Sequence, residues 1–308
     1  MSKCNLLTQA NTAKLVEDID TVLFDCDGVL YTGGHPVAGS QEMLQKLRNM
    51  GKRIFFITNN SSRSNRQFVA KLNKLGFPAE EAEAVSTSWV AAWYLKEQNF
   101  KGKVYLVGNT GMAEELDNAG IKYTGLGPDV AEEESIWDTV DNSHQIFPID
   151  PEVQCVLVGF DQHISFPKLL KAASYLKNEK VLFLATNEDP RLPLKNAPIT
   201  MPGTGCIVSP VRIASGREPL VLGKPNTPMF DSIHEKYHID PAKTLMVGDS
   251  LKTDILMGNK CGLKSLLVLT GINSLEDAKS VMNSSSPDVQ QQAPDFYIED
   301  IGQFGQFL

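Results

Sequence analysis

The stretch LFDCDGVL, residues 23–30, places two acids directly after an apolar segment. Asp25 and Asp27 are two residues apart, and side chains at i and i+2 of an extended chain point the same way. Gly28 then allows a sharp turn. The two carboxylates can therefore address one site, where one attacks while the other manages protons. The alternative for this segment alone is a loop cap or a solvated turn.

Further short apolar segments recur along the chain and end in polar residues or glycine. They are apolar throughout instead of alternating, which is typical of strands buried on both faces of a parallel sheet. Amphipathic stretches with helical periodicity separate them. We predict strands at 21–25, 53–58, 104–108, 153–159, 181–186, 220–223, 244–249 and 265–270. This alternation predicts an α/β layered fold, whose active site lies beyond the carboxyl ends of the strands.

Length and composition limit the possible classes of protein. The chain has 308 residues, 42% hydrophobic and 21% charged, which leaves room for two domains. Its net charge of −8 argues against a nucleic-acid or membrane-surface partner, because phosphates repel it. No apolar run approaches the ~20 residues of a membrane span. We therefore expect a cytoplasmic protein, and five scattered cysteines fit a reducing compartment.

A second polar segment, ITNNSSR at 57–63, also follows a predicted strand. Thr58 offers a hydroxyl, and Asn59 and Asn60 offer side-chain and backbone donors. Donors gathered at a strand end suit phosphate oxygens. The same residues also make a good turn and helix cap.

Two later segments add a cation and further acids. In LGKPN, 222–226, Lys224 follows an apolar run and could neutralise a phosphoryl group, although an exposed lysine at a helix start is the simpler reading. In VGDSLKTDI, 247–255, Asp249 ends a strand and Asp254 follows five residues later. Carboxylates at a strand end suit Mg²⁺, whereas Asp249 could instead cap the next helix.

The order of these four motifs resembles the signature of the haloacid dehalogenase superfamily. The long stretch between Thr58 and Lys224 is similar to this family's C2-type cap. The resemblance implies a Rossmann-like parallel-sheet core with an inserted α/β cap domain. We predict a catalytic core at 1–101 and 219–308 and a cap at 102–218.

Longer segments resemble one group within that superfamily. FDCDGVLY, TNNSS, ATNEDPRLPL and GTGCIV look like the C2-capped phosphatases that act on phosphoglycolate or glycerol 3-phosphate, with pyridoxal phosphatases and 4-nitrophenylphosphatases as close relatives. The resemblance implies Mg²⁺-dependent hydrolysis of a small phosphomonoester, 2-phosphoglycolate or glycerol 3-phosphate first, with pyridoxal phosphate and phosphotyrosine as alternatives. It also implies a homodimer formed through the cap.

The resemblance implies specific roles for the motif residues. Asp25 is the nucleophile that forms an aspartyl phosphate, and Asp27 is the general acid and base. Thr58 and Lys224 bind phosphoryl oxygens. The other implied roles are Mg²⁺ binding by Asp25, the Asp27 carbonyl and Asp249, substrate binding by Gly28, Asn59 and Asn60, and orientation of Lys224 or of the metal shell by Asp254.

Substrate choice is predicted to depend on a cap loop at 187–194. Arg191 in this loop is the candidate for an anionic group such as the carboxylate of phosphoglycolate. An arginine here could equally be a surface or dimer contact.

Two other classes of protein share parts of the pattern. A signalling receiver module also has an acid cluster, a Thr and a Lys, but it is a small single domain without an acid two residues after the phosphorylated one. A non-catalytic binding protein derived from an enzyme is the second alternative, although every expected catalytic side chain is present.

Overall fold

The computed structural model of the chain describes residues 3–130, 149–192 and 198–308. Contacts divide the chain into two compact units. The first comprises Met1–Asn59, Asn65–Ser86 and Gly223–Leu308, and the second comprises Asn60–Ser64 and Thr87–Leu222. The predicted cap limits, 102–218, fall within the second unit, and its role as a cap stays a prediction.

The described residues form short strands and helices that alternate along much of the chain. The strands are β1 Asn5–Leu6, β2 Thr21–Asp25, β3 Tyr31–Thr32, β4 His35–Pro36, β5 Arg53–Thr58, β6 Ala84–Ser86, β7 Lys103–Val107, β8 Tyr123–Thr124, β9 Val153–Val158, β10 Leu182–Ala185, β11 Leu220–Val221, β12 Thr244–Gly248, β13 Lys264–Val268 and β14 Phe296–Ile298. The α-helices are α1 Gln9–Asp18, α2 Ser40–Asn49, α3 Asn65–Lys74, α4 Thr87–Glu97, α5 Thr110–Asn118, α6 Phe166–Leu176, α7 Gly205–Ser215, α8 Pro228–Tyr237, α9 Leu256–Lys260, α10 Leu275–Met282, α11 Pro287–Gln290 and α12 Ile301–Phe307.

The first unit contains a seven-stranded parallel sheet in the order β1-β14-β13-β12-β2-β5-β6. Its interior strand β2 is buried along its whole length, which explains the absence of polar alternation in TVLFD. One apolar cluster covers this sheet, with Phe24, Phe56 and Val247 fully buried. The predicted α/β fold with a Rossmann-like parallel-sheet core is confirmed.

The second unit has its own five-stranded parallel sheet, in the order β11-β10-β9-β7-β8. A separate apolar cluster packs on it, including Val156, Phe183 and Val208. The strand predicted at 220–223 is shorter than expected, because Leu220–Val221 forms an edge of this sheet and Gly223 already belongs to the first unit. Among the described residues, no helix is both long and apolar enough to cross a membrane.

Candidate active site

Three of the predicted site residues lie at one edge of the first unit's sheet. Asp25 is the last residue of β2, and Thr58 is the last residue of the neighbouring β5, in which Ile57 pairs with Asp25. Asp249 directly follows β12, the neighbour of β2 on its other side. Because all three strands are parallel, their carboxyl ends meet at the same edge. The sheet itself therefore brings these residues together.

Lys224 joins two acids at this edge. Its Nζ donates a hydrogen bond to Asp25 Oδ1 and forms an ion pair with Asp254 Oδ1 at 2.8 Å. Lys224 is only 3% exposed and Asp254 only 1%, so the charges interact away from bulk water. The lysine is therefore part of the acid cluster, and the reading as an exposed lysine at a helix start is wrong.

Asp254 is placed by an irregular turn. Leu251–Ile255 forms a π-helix, a feature that is frequent at functional sites. The carboxylate accepts the backbone N–H groups of Asp249 and Ser250 on Oδ2, at 3.2 and 3.1 Å. Its Oδ1 faces Lys224. The orienting role of Asp254 stays a prediction.

Burial and interactions between the charged groups shift the pKa values of this cluster. Burial raises the pKa of the Asp25 carboxyl well above its ordinary value, Lys224 opposes the shift, and Asp254 and Asp249 add to it. Burial likewise raises the pKa of Asp249 to about 7, with a contribution from Asp254. Burial alone would lower the pKa of Lys224, but the carboxylates of Asp25 and Asp254 outweigh it and raise that pKa.

The acid cluster suits a hard divalent cation. Asp25, Asp249 and Asp254 offer carboxylate oxygens that all lie within 4.8 Å of one another. Three carboxylates and one ammonium leave two negative charges without compensation when all are ionised. Burial is the main cause of the raised pKa values of Asp25 and Asp249, and repulsion from the neighbouring acids adds to it. Oxygen donors and excess negative charge are what Mg²⁺ requires. The residues present therefore fit a magnesium ion.

Asp249 is held by groups that the sequence analysis did not single out. The backbone of Ile272 donates to Asp249 Oδ2 at 3.0 Å, and the N–H of Asn273 donates to its carbonyl at 3.1 Å. A Cβ on either Gly28 or Gly271 would overlap the Asp249 carboxylate. Gly28 also has φ +91°, which strains any other residue. The segment LTGIN, residues 269–273, includes the end of the strand predicted at 265–270. Its position at a strand end is the sequence signal that could have indicated these groups.

The predicted phosphate-binding segments make other contacts in this conformation. The amide of Gly28 donates to the carbonyl of Tyr31 at 2.8 Å. The side chain of Asn59 clamps the backbone of Lys224, donating to its carbonyl at 3.0 Å and accepting its N–H at 2.9 Å. Asn60, which belongs to the second unit, accepts the N–H and hydroxyl of Ser62. Their roles toward substrate stay predictions.

Arg191 lies in the second unit, in the loop predicted to choose the substrate. The loop is tied to a neighbouring strand-like segment, because Arg191 forms an isolated bridge with Pro202 and Leu192 donates to Met201. Arg191 is exposed. Positions 193 and 194 of the predicted loop lie outside the described residues. The role of Arg191 stays a prediction.

Asp27, unlike the buried acids, is partly exposed. Tyr31 donates its hydroxyl to Asp27 Oδ2 at 3.2 Å, and Lys71 lies 3.6 Å from Asp27 Oδ1. The sequence analysis missed both neighbours.

Cys26, between the two acids, is fully buried in the apolar cluster.

Comparisons with known proteins identify the family of the chain. The family model described as haloacid dehalogenase-like hydrolase matches residues 22–122, and a second, HAD-hydrolase-like, matches 221–304. Glycerol-3-phosphate phosphatase from Mus musculus is 42% identical, over 97% of this chain and 94% of its own. Chronophin from Rattus norvegicus is 38% identical, over 98% and 92%.

Solved structures show the same architecture. A glycerol phosphate phosphatase from Mycobacterium tuberculosis in complex with magnesium has a TM-score of 0.76 and 29% identity, over 95% of this chain and 78% of its own. A 4-nitrophenylphosphatase from Thermotoga maritima has a TM-score of 0.76 and 27% identity, over 95% and 98%. The chain belongs to the haloacid dehalogenase-like hydrolases. Within them it is a phosphoric monoester hydrolase that acts on small phosphate esters. The receiver and non-catalytic alternatives are therefore wrong.

Proposed function

We propose that this enzyme hydrolyses glycerol 3-phosphate, 2-phosphoglycolate or both through an aspartyl phosphate on Asp25, with Mg²⁺ as cofactor. The observation that carries the mechanism is the contact of Lys224 with Asp25 and Asp254 inside a buried acid cluster. A buried carboxylate paired with an ammonium is a nucleophile whose charge is partly balanced, so it can approach an anionic phosphate.

In the first step, a carboxylate oxygen of Asp25 attacks phosphorus and forms a new P–O bond. The P–O bond to the leaving group breaks on the opposite side, and Asp27 transfers its proton to the departing oxygen. Lys224 and Thr58 interact with the phosphoryl oxygens, where negative charge is spread in the transition state.

In the second step, water attacks the phosphorus of the aspartyl phosphate. Asp27, now a carboxylate, takes the proton of that water, and the P–O bond to Asp25 breaks. Phosphate leaves, Asp25 is again a carboxylate, and Asp27 is again protonated. One side chain serves both steps because the water restores the proton that it gave away.

Mg²⁺ would be held by the carboxylates of Asp25 and Asp249 and by the backbone carbonyl of Asp27. When bound, the ion supplies Lewis-acid charge that reduces repulsion between the carboxylate and the phosphate. Asp254 keeps Lys224 beside Asp25 through its ion pair. The hydrogen bond that Ile272 donates keeps one oxygen of Asp249 in a fixed direction.

Relatives named glycerol-3-phosphate phosphatase, at 41–42% identity, favour glycerol 3-phosphate as the first substrate to test. Arg191 is the side chain proposed to recognise a second anionic group, such as the carboxylate of phosphoglycolate. Pyridoxal phosphate and phosphotyrosine remain alternative substrates, favoured by the resemblance of the sequence alone. We also retain the proposals of a homodimer and of a cytoplasmic location.

The substrate is tested by kcat/KM for glycerol 3-phosphate, 2-phosphoglycolate, pyridoxal phosphate and phosphotyrosine with Mg²⁺. The set is repeated with Arg191→Ala and with the control Lys180→Ala, an exposed cation of the same unit. We expect the first two esters to be preferred, and Arg191→Ala to reduce kcat/KM for phosphoglycolate selectively. Preference for pyridoxal phosphate or phosphotyrosine would overturn the substrate assignment. Uniform loss or no loss would overturn the role of Arg191.

A further inference from the structure

We infer that Lys71 and Tyr31 form a positioning pair that holds the carboxylate of Asp27 in place for proton transfer to the leaving group. This inference rests on the proposed function, in which Asp27 is the general acid and base. Among the residues that the structure describes, the polar contacts of Lys71 and Tyr31 lead to Asp27 and to each other, so both act through Asp27.

The three side chains form a directed chain of polar contacts. Lys71 Nζ donates to the hydroxyl of Tyr31 at 2.9 Å, and that hydroxyl donates to Asp27 Oδ2 at 3.2 Å. The same ammonium lies 3.6 Å from Asp27 Oδ1 and 4.1 Å from the centroid of the Tyr31 ring. Each oxygen of the carboxylate therefore faces a different partner. Within the described part of the chain, these are the polar side chains that contact Asp27.

Tyr31 is held in place by core packing and by backbone hydrogen bonds. Tyr31 is 1% exposed and packs 6.4 Å from Phe77 between ring centroids. Its backbone closes the Asp27 turn, because Gly28 N–H donates to the Tyr31 carbonyl and Tyr31 N–H donates to the Cys26 carbonyl. The Tyr31 hydroxyl therefore cannot move independently of the loop that carries Asp27.

Lys71 extends from a helix that is fixed in the core. Phe68 and Leu72 of α3 are buried in the apolar cluster of the first unit, one on each side of Lys71 in the sequence. The lysine side chain is 25% exposed, so most of it is covered where its ammonium contacts Tyr31 and Asp27.

Asp27 needs such support more than the other acids do. Its side chain is 45% exposed, whereas Asp249 and Asp254 are buried and accept backbone hydrogen bonds. A half-exposed aspartate samples several staggered χ1 rotamers unless a partner selects one. Proton transfer requires the carboxyl within hydrogen-bond reach of the leaving oxygen. A displacement of about 1 Å can reduce the rate about 100-fold.

This arrangement has a consequence that depends on the leaving group. An alkoxide such as that of glycerol leaves poorly unless it is protonated, whereas 4-nitrophenolate leaves without a proton. The value of kcat/KM reports the steps up to the first irreversible one, here the transfer of the phosphoryl group. Loss of Asp27 positioning should therefore reduce kcat/KM for the alkyl ester and spare it for the nitrophenyl ester.

The experiment measures kcat/KM for glycerol 3-phosphate and 4-nitrophenyl phosphate in Lys71→Met, Lys71→Arg and Tyr31→Phe. Lys74→Met on the same helix is the matched control, since Lys74 is exposed. Asp27→Asn is the reference. We expect Lys71→Met and Tyr31→Phe to lower the alkyl-ester value by about 10-fold or more and the nitrophenyl value by less than about 3-fold. Lys71→Arg should retain most activity, and Lys74→Met all of it.

Equal losses for both esters, no loss, or a gain in Lys71→Met would overturn the positioning role. The reference variant separates this result from failure of the proposed function. If Asp27→Asn shows the selective loss but Lys71→Met does not, only the positioning inference fails. If Asp27→Asn turns over both esters normally, the acid–base role itself is wrong.

Discussion

Gly271 lies against the carboxylate of Asp249, so closely that a Cβ at position 271 would overlap Asp249 Oδ2. The next residue, Ile272, donates its N–H to that same oxygen at 3.0 Å. Because Gly271 has no side chain, the backbone can approach Asp249 closely enough for the Ile272 N–H to bind Asp249 Oδ2. Asp249 is therefore positioned by a loop that is distant from it in sequence.

The first prediction concerns that close approach. Gly271→Ala must push Asp249 away or shift the loop, so we expect kcat/KM for glycerol 3-phosphate to fall by about 100-fold. The control is Gly51→Ala, because the space around Gly51 is open, while its φ of +75° strains an alanine. That control should lose stability from backbone strain and keep its activity. Normal activity in Gly271→Ala would contradict the importance of this contact.

The second prediction concerns magnesium. The uncompensated negative charge of the cluster should make Mg²⁺ stabilise the folded protein, by about 2.7 kcal/mol at 100 times its Kd. We expect Mg²⁺ to raise the Tm of the wild type in a thermal-shift measurement made without substrate. Asp249→Asn should lose most of this rise. Asp288→Asn, which changes an exposed acid, should keep it.

Either of two results would contradict the magnesium site. One is the absence of any Mg²⁺-dependent shift in the wild type at millimolar concentrations. The other is a shift of equal size in Asp249→Asn, which would place the binding ion elsewhere.

Much of the first unit could be predicted because its signals are local. Buried parallel strands read as short apolar runs, and acids at their ends could be recognised in Asp25 and Asp249 without knowing the strand order. Lys224 illustrates the limit of this approach. Its neighbours in the sequence indicate an exposed helix start, and only the tertiary fold reveals that it is buried between Asp25 and Asp254.

The residues that support the site were missed for the same reason. Tyr31 reads as an ordinary strand residue and Lys71 as a solvated lysine in the last turn of a helix. Their contact spans 40 positions, and no periodicity encodes it. The hydrogen bond from Ile272 to Asp249 spans 23 positions and depends on two neighbouring strands. Side-chain function in such cases follows from the sheet order, which the pattern of apolar segments does not specify.

The third prediction concerns an ion pair buried in the second unit. Lys168 Nζ donates to Asp161 Oδ2 at 2.5 Å, and both side chains are fully buried. Lys168→Met leaves a buried carboxylate without its partner, which should lower the free energy of unfolding by about 3–5 kcal/mol. Urea unfolding measures this loss.

A matched control comes from an exposed pair. Lys243 lies 3.4 Å from Asp20, and both side chains are more than half exposed. Lys243→Met should change the free energy of unfolding by no more than about 1 kcal/mol. Removal of both buried charges in Lys168→Met/Asp161→Asn should recover part of the loss. If Lys168→Met and Lys243→Met changed the free energy of unfolding by similarly small amounts, the prediction that the buried pair matters more for stability would be wrong.

The central claim, that Asp25 carries the phosphoryl group, is tested most directly by trapping the intermediate. Asp27→Asn lacks the base for the second step, but 4-nitrophenolate can leave without an acid in the first. Rapid mixing of this variant with 4-nitrophenyl phosphate and Mg²⁺ should release about one nitrophenolate per site in a burst. Mass spectrometry of the quenched protein should then find one phosphoryl group on the peptide that contains Asp25, and none in Asp25→Asn/Asp27→Asn. Absence of the burst and the adduct, or a phosphoryl group on another residue, would contradict the account.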